Sequence, residues 1–364
     1  MTRPATVVID LSALRANLQR VREMAPDSRI MAIIKADAYG HGLTRVAHTL
    51  AGADAFGVAC LEEARALREA GVQAPVVMLE GPFEAAELDE MRAAHIDMML
   101  HQPKQLQWLE QSGPATELGI WIKIDTGMHR LGFQPQDLPQ VWQRLLAAGC
   151  RQEQLHLVTH LASANEHDDA AVTAQFDCFD RCTRDYPVPR CIANSAGILG
   201  WPGSHRDWVR PGLMLYGVSP FQDIDAASQG LRPVMSLRSE LIAVRQVRAG
   251  DTVGYGATWA CPEDMPVGVA AIGYGDGYPR HARPGTPVLV NGQRAALIGR
   301  PSMDMLTLDL RGVGGAGIGD PVTLWGDGLA LEEVAGHAGT IAYELLCNVG
   351  RRARIVYRDR DGAV

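Results

Sequence analysis

Between residues 31 and 216 the chain alternates short apolar runs with amphipathic stretches, eight times over. The runs fall at 31–35, 55–59, 76–79, 97–100, 119–124, 155–159, 190–193 and 212–216. Between them lie stretches such as 61–70, 84–94 and 138–148, with apolar residues at helical spacing. A strand that is apolar along its whole length is buried on both faces, which points to a parallel sheet covered by helices. Eight strand–helix units match a (β/α)8 TIM-type barrel. A doubly wound open sheet is the competing arrangement, but no GxGxxG follows the first strand.

The texture changes after Arg232-Pro233. Helical periodicity fades, and alternating strand patterns take over at 235–247, 267–272, 287–289 and 303–310. Asn291-Gly292 is a two-residue hairpin signal between two such runs. A helical piece at 331–338 and a strand at 353–357 follow. The expected organisation is a barrel over residues 1–230 followed by a mostly β C-terminal domain over residues 231–364. Ahead of the barrel beat, residues 5–9 read as a short strand, with Asp10 or Ser12 capping the helix behind it.

Bulk properties narrow the function classes. A chain of 364 residues with 47% hydrophobic and 21% charged residues is ordinary for a two-domain globular protein. A net charge of −8 and a pI near 5.8 argue against nucleic acid or an anionic membrane as partner. No apolar run approaches the ~18 residues of a membrane span, and the N-terminus carries no signal-peptide core. Seven scattered cysteines without a CxxC pair favour reduced thiols, and hence a cytoplasmic location, over disulfides or a zinc site.

The first run leads into Ile34-Lys35-Ala36-Asp37-Ala38-Tyr39-Gly40-His41-Gly42. Ligands of α/β proteins bind at the carboxyl ends of the strands, so Lys35 stands where chemistry is expected. Apolar neighbours lower an amine's pKa by desolvation, which suits a lysine that forms a Schiff base. A solvent-facing lysine at a strand end fits the same stretch. Lys123 and Asp125 share one face of the fifth strand, as a site pair or as a buried ion pair. His156 and His160 alternate on the sixth and fit no HExxH zinc pattern. After the seventh strand, Asn194-Ser195 would bind phosphate through hydroxyl and backbone N–H groups, or only cap a helix. Arg210-Pro211-Gly212 leads into the eighth, and the late loops of a barrel are its usual phosphate site. A reactive lysine on the first strand and a phosphate site on the last two describe one site for an aldimine-forming cofactor. In the β region Tyr255 and Tyr274 are flanked by glycines. Each reads as a hinge aromatic, or as an acid–base group if a cation lowers its pKa.

Taken in order, these motifs resemble the bacterial alanine racemases, fold-type III enzymes dependent on pyridoxal 5′-phosphate (PLP). The resemblance is carried by residues 34–42, Asp125-Thr126-Gly127-Met128-His129-Arg130-Leu131-Gly132, Thr159-His160, Asn194-Ser195 and Arg210-Pro211-Gly212. In the β region it continues with Val253-Gly254-Tyr255-Gly256, Gly273-Tyr274-Gly275-Asp276-Gly277-Tyr278 and Ser302-Met303-Asp304-Met305. It implies that Lys35 holds PLP as an internal aldimine and acts as the base facing D-alanine. Tyr255, from the second subunit of a head-to-tail homodimer, is then the base facing L-alanine. Arg210 is implied to face the pyridine nitrogen, with His160 assisting Tyr255 through it. Tyr39, Ser195, Gly212, Leu213 and Tyr343 are implied to hold the phosphate, and Arg130 and Met303 the substrate carboxylate. Tyr274 and Tyr343 would narrow the entrance, with Asp304 in support. Lys123 matches a lysine that is carbamylated in several relatives, where it positions the arginine equivalent to Arg130. No metal is implied.

Two positions depart from the family pattern. Gly275 stands where alanine is usual, and Pro301 precedes Ser302. Neither removes a reactive group. The alternatives are a broad-specificity amino-acid racemase and a PLP-dependent decarboxylase of the same fold, although no decarboxylase-type cysteine and carboxylate signature is present. D-alanine made this way would serve peptidoglycan synthesis, or the reaction would feed alanine catabolism.

Overall fold

A computed structural model describes residues 3–113, 117–166, 169–350 and 352–359. Strand β1 (Thr6–Asp10) leads into helix α1 (Leu11–Met24), whose first turn is capped by Asp10 accepting from the Ala13 N–H at 3.0 Å. The barrel follows. Its strands are β2 (Arg29–Ile33), β3 (Ala55–Val58), β4 (Val76–Met78), β5 (Ile96–Leu100), β6 (Ile120–Lys123), β7 (Leu155–Val158), β8 (Arg190–Cys191) and β9 (Trp208–Val209). All pair in parallel and in order, and β9 closes on β2 through Arg29↔Trp208 and Ile30↔Val209. β3, β4 and β6 are buried at every residue, as helices on the outer face of a parallel sheet require. Below Lys123 on the same face of β6, Trp121 stacks on His156 at 4.2 Å and meets Trp208 edge-on at 5.3 Å. The barrel interior is therefore a packed core with its open end at the strand tips.

The eighth barrel strand lies earlier than its apolar run suggests. Residues 212–216, expected as a strand, form a buried 3₁₀ turn over Leu213–Tyr216, and Trp208–Val209 make the strand. Pro211 removes a ladder donor. A short buried apolar run has no periodicity to tell strand from turn. The turn ends at Gly217 with φ of 75°, where a Cβ would stand 1.7 Å from the Arg232 carbonyl oxygen. Asn17 on α1 secures the same crossing, donating to the Leu215 and Arg232 carbonyls and accepting from the Arg232 N–H.

The second unit is an eight-stranded sheet in the order Met265–Ala270, Leu306–Asp309, Gln293–Ile298, Pro287–Val290, Pro321–Trp325, Met235–Val247, β1 and Arg354–Arg358. Met235–Val247 also pairs with Met265–Ala270, so six strands form a closed circuit. β1, expected within the barrel half at residues 1–230, instead joins this sheet, antiparallel to Met235–Val247 and parallel to Arg354–Arg358. Among the described residues no helix is long and apolar enough to cross a membrane.

Candidate active site

β2 ends at Ile33, and Lys35 opens a turn of unusual hand. Ala36, Asp37, Ala38 and Tyr39 all have φ between 52° and 54° and ψ between 41° and 53°, one turn of left-handed helix without a glycine. Each such residue costs roughly 1–2 kcal/mol, so the turn stores about 4–8 kcal/mol before its contacts are counted. Strain of this size persists only where the surroundings over-determine the backbone. Asp37 accepts from the Leu43 N–H at 2.7 Å. The His41 ring donates Nδ1–H to the carbonyls of Tyr39 and Ala38 at 2.8 and 3.0 Å. Burial pushes the pKa of His41 down to about 4, so it is neutral and keeps that role. Gly40 and Gly42, at φ of 76° and 91°, come so close to the Leu346 carbonyl and the Tyr357 hydroxyl that a Cβ fits at neither.

The turn aims Tyr39 across the barrel mouth. Its ring stacks on Tyr216 at 4.7 Å and tilts against Tyr343 at 5.8 Å, and Tyr216 donates to the Ile33 carbonyl at 3.0 Å. A Cβ on Gly212 would lie 2.8 Å from the Tyr39 hydroxyl, so glycine lets that hydroxyl come against the backbone. The Ser195 hydroxyl closes the same corner, accepting from the N–H groups of Gly212 and Met214 at 3.0 and 3.3 Å. Tyr39, Ser195, Gly212 and Tyr343 are thus brought together, with Leu213 buried behind them.

Two residues before Gly212, Arg210 is 5% exposed. Its guanidinium donates to the Cys191 sulfur at 2.8 Å and to the carbonyls of Thr159 and Ile192 at 2.7 and 3.2 Å. His160 Nδ1 lies 3.4 Å from Arg210 Nη2. Burial first, then the neighbouring cations Arg210, Lys123, Arg130 and Lys35, hold His160 well below its usual pKa. It is a neutral ring. Burial, then the guanidiniums of Arg210 and Arg130, bring the Lys123 amine down to about 7. Asp125 accepts from the Gly127 and His129 N–H groups at 3.1 and 3.0 Å, so it shapes the loop that carries Arg130.

The remaining site residues are on the second unit. Tyr255 occupies a 3₁₀ turn (Tyr255–Ala257) between Thr252–Val253 and Trp259–Ala260 and is 67% exposed. Met303 is 51% exposed, and Tyr274 and Met305 also face outward. The loops carrying Tyr274 and Met303 are bound together by Asp276, which is fully buried and grips Arg3 at 2.8 Å and Arg352 at 3.0 Å. Arg352 also reaches Asp304 at 2.9 Å. A Cβ on Gly275 would stand 3.0 Å from the Arg352 guanidinium, so the glycine lets that arginine close on Asp276. Tyr274 N–H and Gly275 N–H donate to the carbonyls of Ser302 and Met303. Sequence reasoning assigned no role to His41, Tyr216, Cys191 or Asp276. His41 and Asp276 lie inside quoted motifs, but nothing local shows what they touch.

Fold and site together define a two-unit enzyme with a basic, aromatic-lined pocket at the mouth of a (β/α)8 barrel. The N-terminal domain model of alanine racemases matches residues 9–220, and the C-terminal domain model matches residues 234–357. The alanine racemase of Halorhodospira halophila is 52% identical over 97% of this chain and 98% of its own length. That of Nitrosococcus oceani is 54% identical over 95% and 97%. Among solved structures, the biosynthetic alanine racemase of Pseudomonas aeruginosa superposes with a TM-score of 0.95 at 44% identity, covering 98% of this chain and all of that one. The Bartonella henselae alanine racemase, solved with covalently bound pyridoxal phosphate, gives 0.88 at 27% identity, covering 98% and 99%. The chain belongs to the alanine racemase family, and its activity is the interconversion of L- and D-alanine.

Proposed function

We propose that Lys35 holds PLP covalently and that Lys35 and Tyr255 are the two proton carriers, each facing one side of the substrate Cα. The observation that carries this reading is the placement of Lys35 on the left-handed turn, next to the Tyr39–Ser195–Gly212–Tyr343 corner. That corner offers the hydroxyls of Tyr39, Ser195 and Tyr343, donors of the kind a phosphate needs, while the Gly212 N–H is already given to Ser195. Bound there, PLP would supply the electron sink that makes the α-proton removable. Racemisation then needs one acid–base group on each face. Lys35 would take or return the proton on the D side and Tyr255 on the L side.

A guanidinium is a donor only, so a cofactor ring nitrogen facing Arg210 would accept from it rather than carry a proton, which would restrain side reactions such as transamination. His160, held neutral beside Arg210, would assist Tyr255 through the Arg210 contact. Arg130 and the Met303 backbone would hold the substrate carboxylate, while Tyr274 and Tyr343 limit its side chain. The Lys123 amine, with a pKa near 7, is partly neutral at neutral pH, the form that adds carbon dioxide. Its carbamate would be an anion beside Arg130 and Arg210. An intact mass matching the free amine under ambient carbon dioxide contradicts that modification.

Tyr255 faces solvent in one chain, so the site is completed by a second copy in a head-to-tail homodimer. Residues 231–364 would deliver Tyr255 to the partner's barrel. We place the enzyme in the cytoplasm, making D-alanine for peptidoglycan or feeding alanine catabolism, with neither nucleic acid nor membrane as partner. The test is NMR in deuterated buffer, with L- and D-alanine added separately to PLP-loaded protein. Cα-proton exchange with inversion in both directions is expected. Exchange without inversion would remove Tyr255 from the reaction, and carbon dioxide released from another amino acid would point to a decarboxylase.

A further inference from the structure

The left-handed turn begins with two backbone donors that the turn itself cannot satisfy. Both go to one carboxylate. Glu63 Oε1 accepts from the Ala36 N–H at 2.6 Å and from the Asp37 N–H at 3.4 Å. Its other oxygen, Oε2, accepts from the Ala59 N–H at 2.8 Å. Ala59 directly follows β3, and Glu63 is the third residue of the helix Leu61–Glu69. One side chain therefore bridges the tip of β3 to the two residues after Lys35. A glutamate at the third position of a helix ordinarily folds back only on its own N-terminus. Holding Ala36 and Asp37 does nothing for the helix Leu61–Glu69. It does fix the turn: Glu63 holds the donors at its start, and the His41 ring holds the carbonyls at its end.

We propose that Glu63 is a positioning residue for Lys35. By pinning the N–H groups of Ala36 and Asp37 it holds the left-handed backbone, and so sets the direction from which the Lys35 amine enters the pocket. A right-handed or extended backbone at 36–39 would swing Tyr39 off Tyr216 and carry Lys35 with it. Glu63 touches neither substrate nor cofactor and acts only through the turn. The proposal rests on the reading that Lys35 carries PLP.

The test compares PLP-loaded wild-type protein with Glu63→Ala and Glu63→Gln. Borohydride reduction followed by peptide mass spectrometry locates the pyridoxyl group, and a fixed concentration of hydroxylamine strips unreduced PLP at a rate read from its visible absorption. Thermal melting is recorded in parallel. A misplaced lysine gives stripping about tenfold faster or more in the alanine variant. The glutamine variant keeps an acceptor for Ala36 but turns its amide N–H toward the Ala59 N–H, so its stripping quickens about threefold. If Glu63 only stabilises the fold, the melting temperature falls and stripping at room temperature stays at the wild-type rate, which overturns the proposal. Should the alanine variant not fold, wild-type stripping in the glutamine variant overturns it equally. A wild-type pyridoxyl group on a residue other than Lys35 would overturn the reading of Lys35 itself, and the inference with it.

Discussion

The two units present their halves of the proposed site in opposite states. At the barrel mouth the polar groups are buried and engaged: Arg210 has four acceptors around it, Ser195 two donors, and the strained turn is held at both ends. On the β unit Tyr255, Met303 and Tyr274 project from loops into solvent, although the loops beneath Tyr274 and Met303 are tied down by a fully buried aspartate. The barrel half is finished within one chain. The β half is a preorganised surface that needs something to face. Large exposed apolar groups on a rigid base are what an interface between copies would cover.

The strongest ways to break this contrast act on activity. Lys35→Ala is expected to lose PLP together with activity. Tyr255→Phe, at an exposed position, should keep PLP and melting temperature while racemisation falls by roughly 10²–10⁴-fold. Absorption spectra, calorimetry and a coupled D-alanine assay separate the two. Wild-type activity in Tyr255→Phe would remove the β unit from the chemistry.

The next effect is confined to the barrel unit, where burial pushes both His41 and His156 down to about 4. The unfolded chain takes up those protons near pH 6.5. Between about 6.5 and 4 it therefore binds protons that the folded protein refuses, so stability is full above that window and lost as pH falls through it. Each residue accounts for roughly 3 kcal/mol. Urea midpoints at neutral and acid pH should show the loss. His156→Phe, which keeps a ring stacked on Trp121, should reduce it, and an unchanged acid loss in that variant would contradict the assignment.

In the β unit Asp276→Ala takes a carboxylate from two guanidiniums, of which Arg352 keeps Asp304. Both are partly exposed, so water compensates and the expected cost is about 2 kcal/mol. Looser Tyr274 and Met303 loops should raise KM for alanine more than they lower kcat, as steady-state kinetics would show. The smallest effect belongs to the hairpin at Asn291-Gly292. Gly292 sits at φ of 75°, and Gly292→Ala should cost about 1 kcal/mol in chemical denaturation with activity intact.

Much of this architecture was legible because buried parallel strands are continuously apolar, so seven of the eight barrel strands lay within or beside their runs. The eighth was misplaced because Leu213–Tyr216 is as apolar as a strand while Pro211 and Gly212 direct a turn. β1 could not be assigned to the distant sheet from local pattern, since its partners lie more than 200 residues away in sequence. Lys35, Ser195 and Arg210 stood out through position at strand tips, while Tyr39 and His160 owed their roles to the family resemblance. The hand of the turn after Lys35 did not, because nothing in Ala36-Asp37-Ala38-Tyr39 itself marks a left-handed backbone, and contacts from Glu63 and the His41 ring help hold it. Glu63 itself reads as one more acidic residue in the first turn of a surface helix.

The central claim, a site built from two copies, is tested most directly by mixing two inactive proteins. Lys35→Ala and Tyr255→Phe are unfolded together, or co-expressed, and allowed to form mixed dimers in the presence of PLP. If the site takes Lys35 from one chain and Tyr255 from the other, each mixed dimer regains one intact site, and random pairing restores roughly a quarter of wild-type activity. If both residues act within a single chain, every site in the mixture lacks one base and activity stays at the level of the single variants.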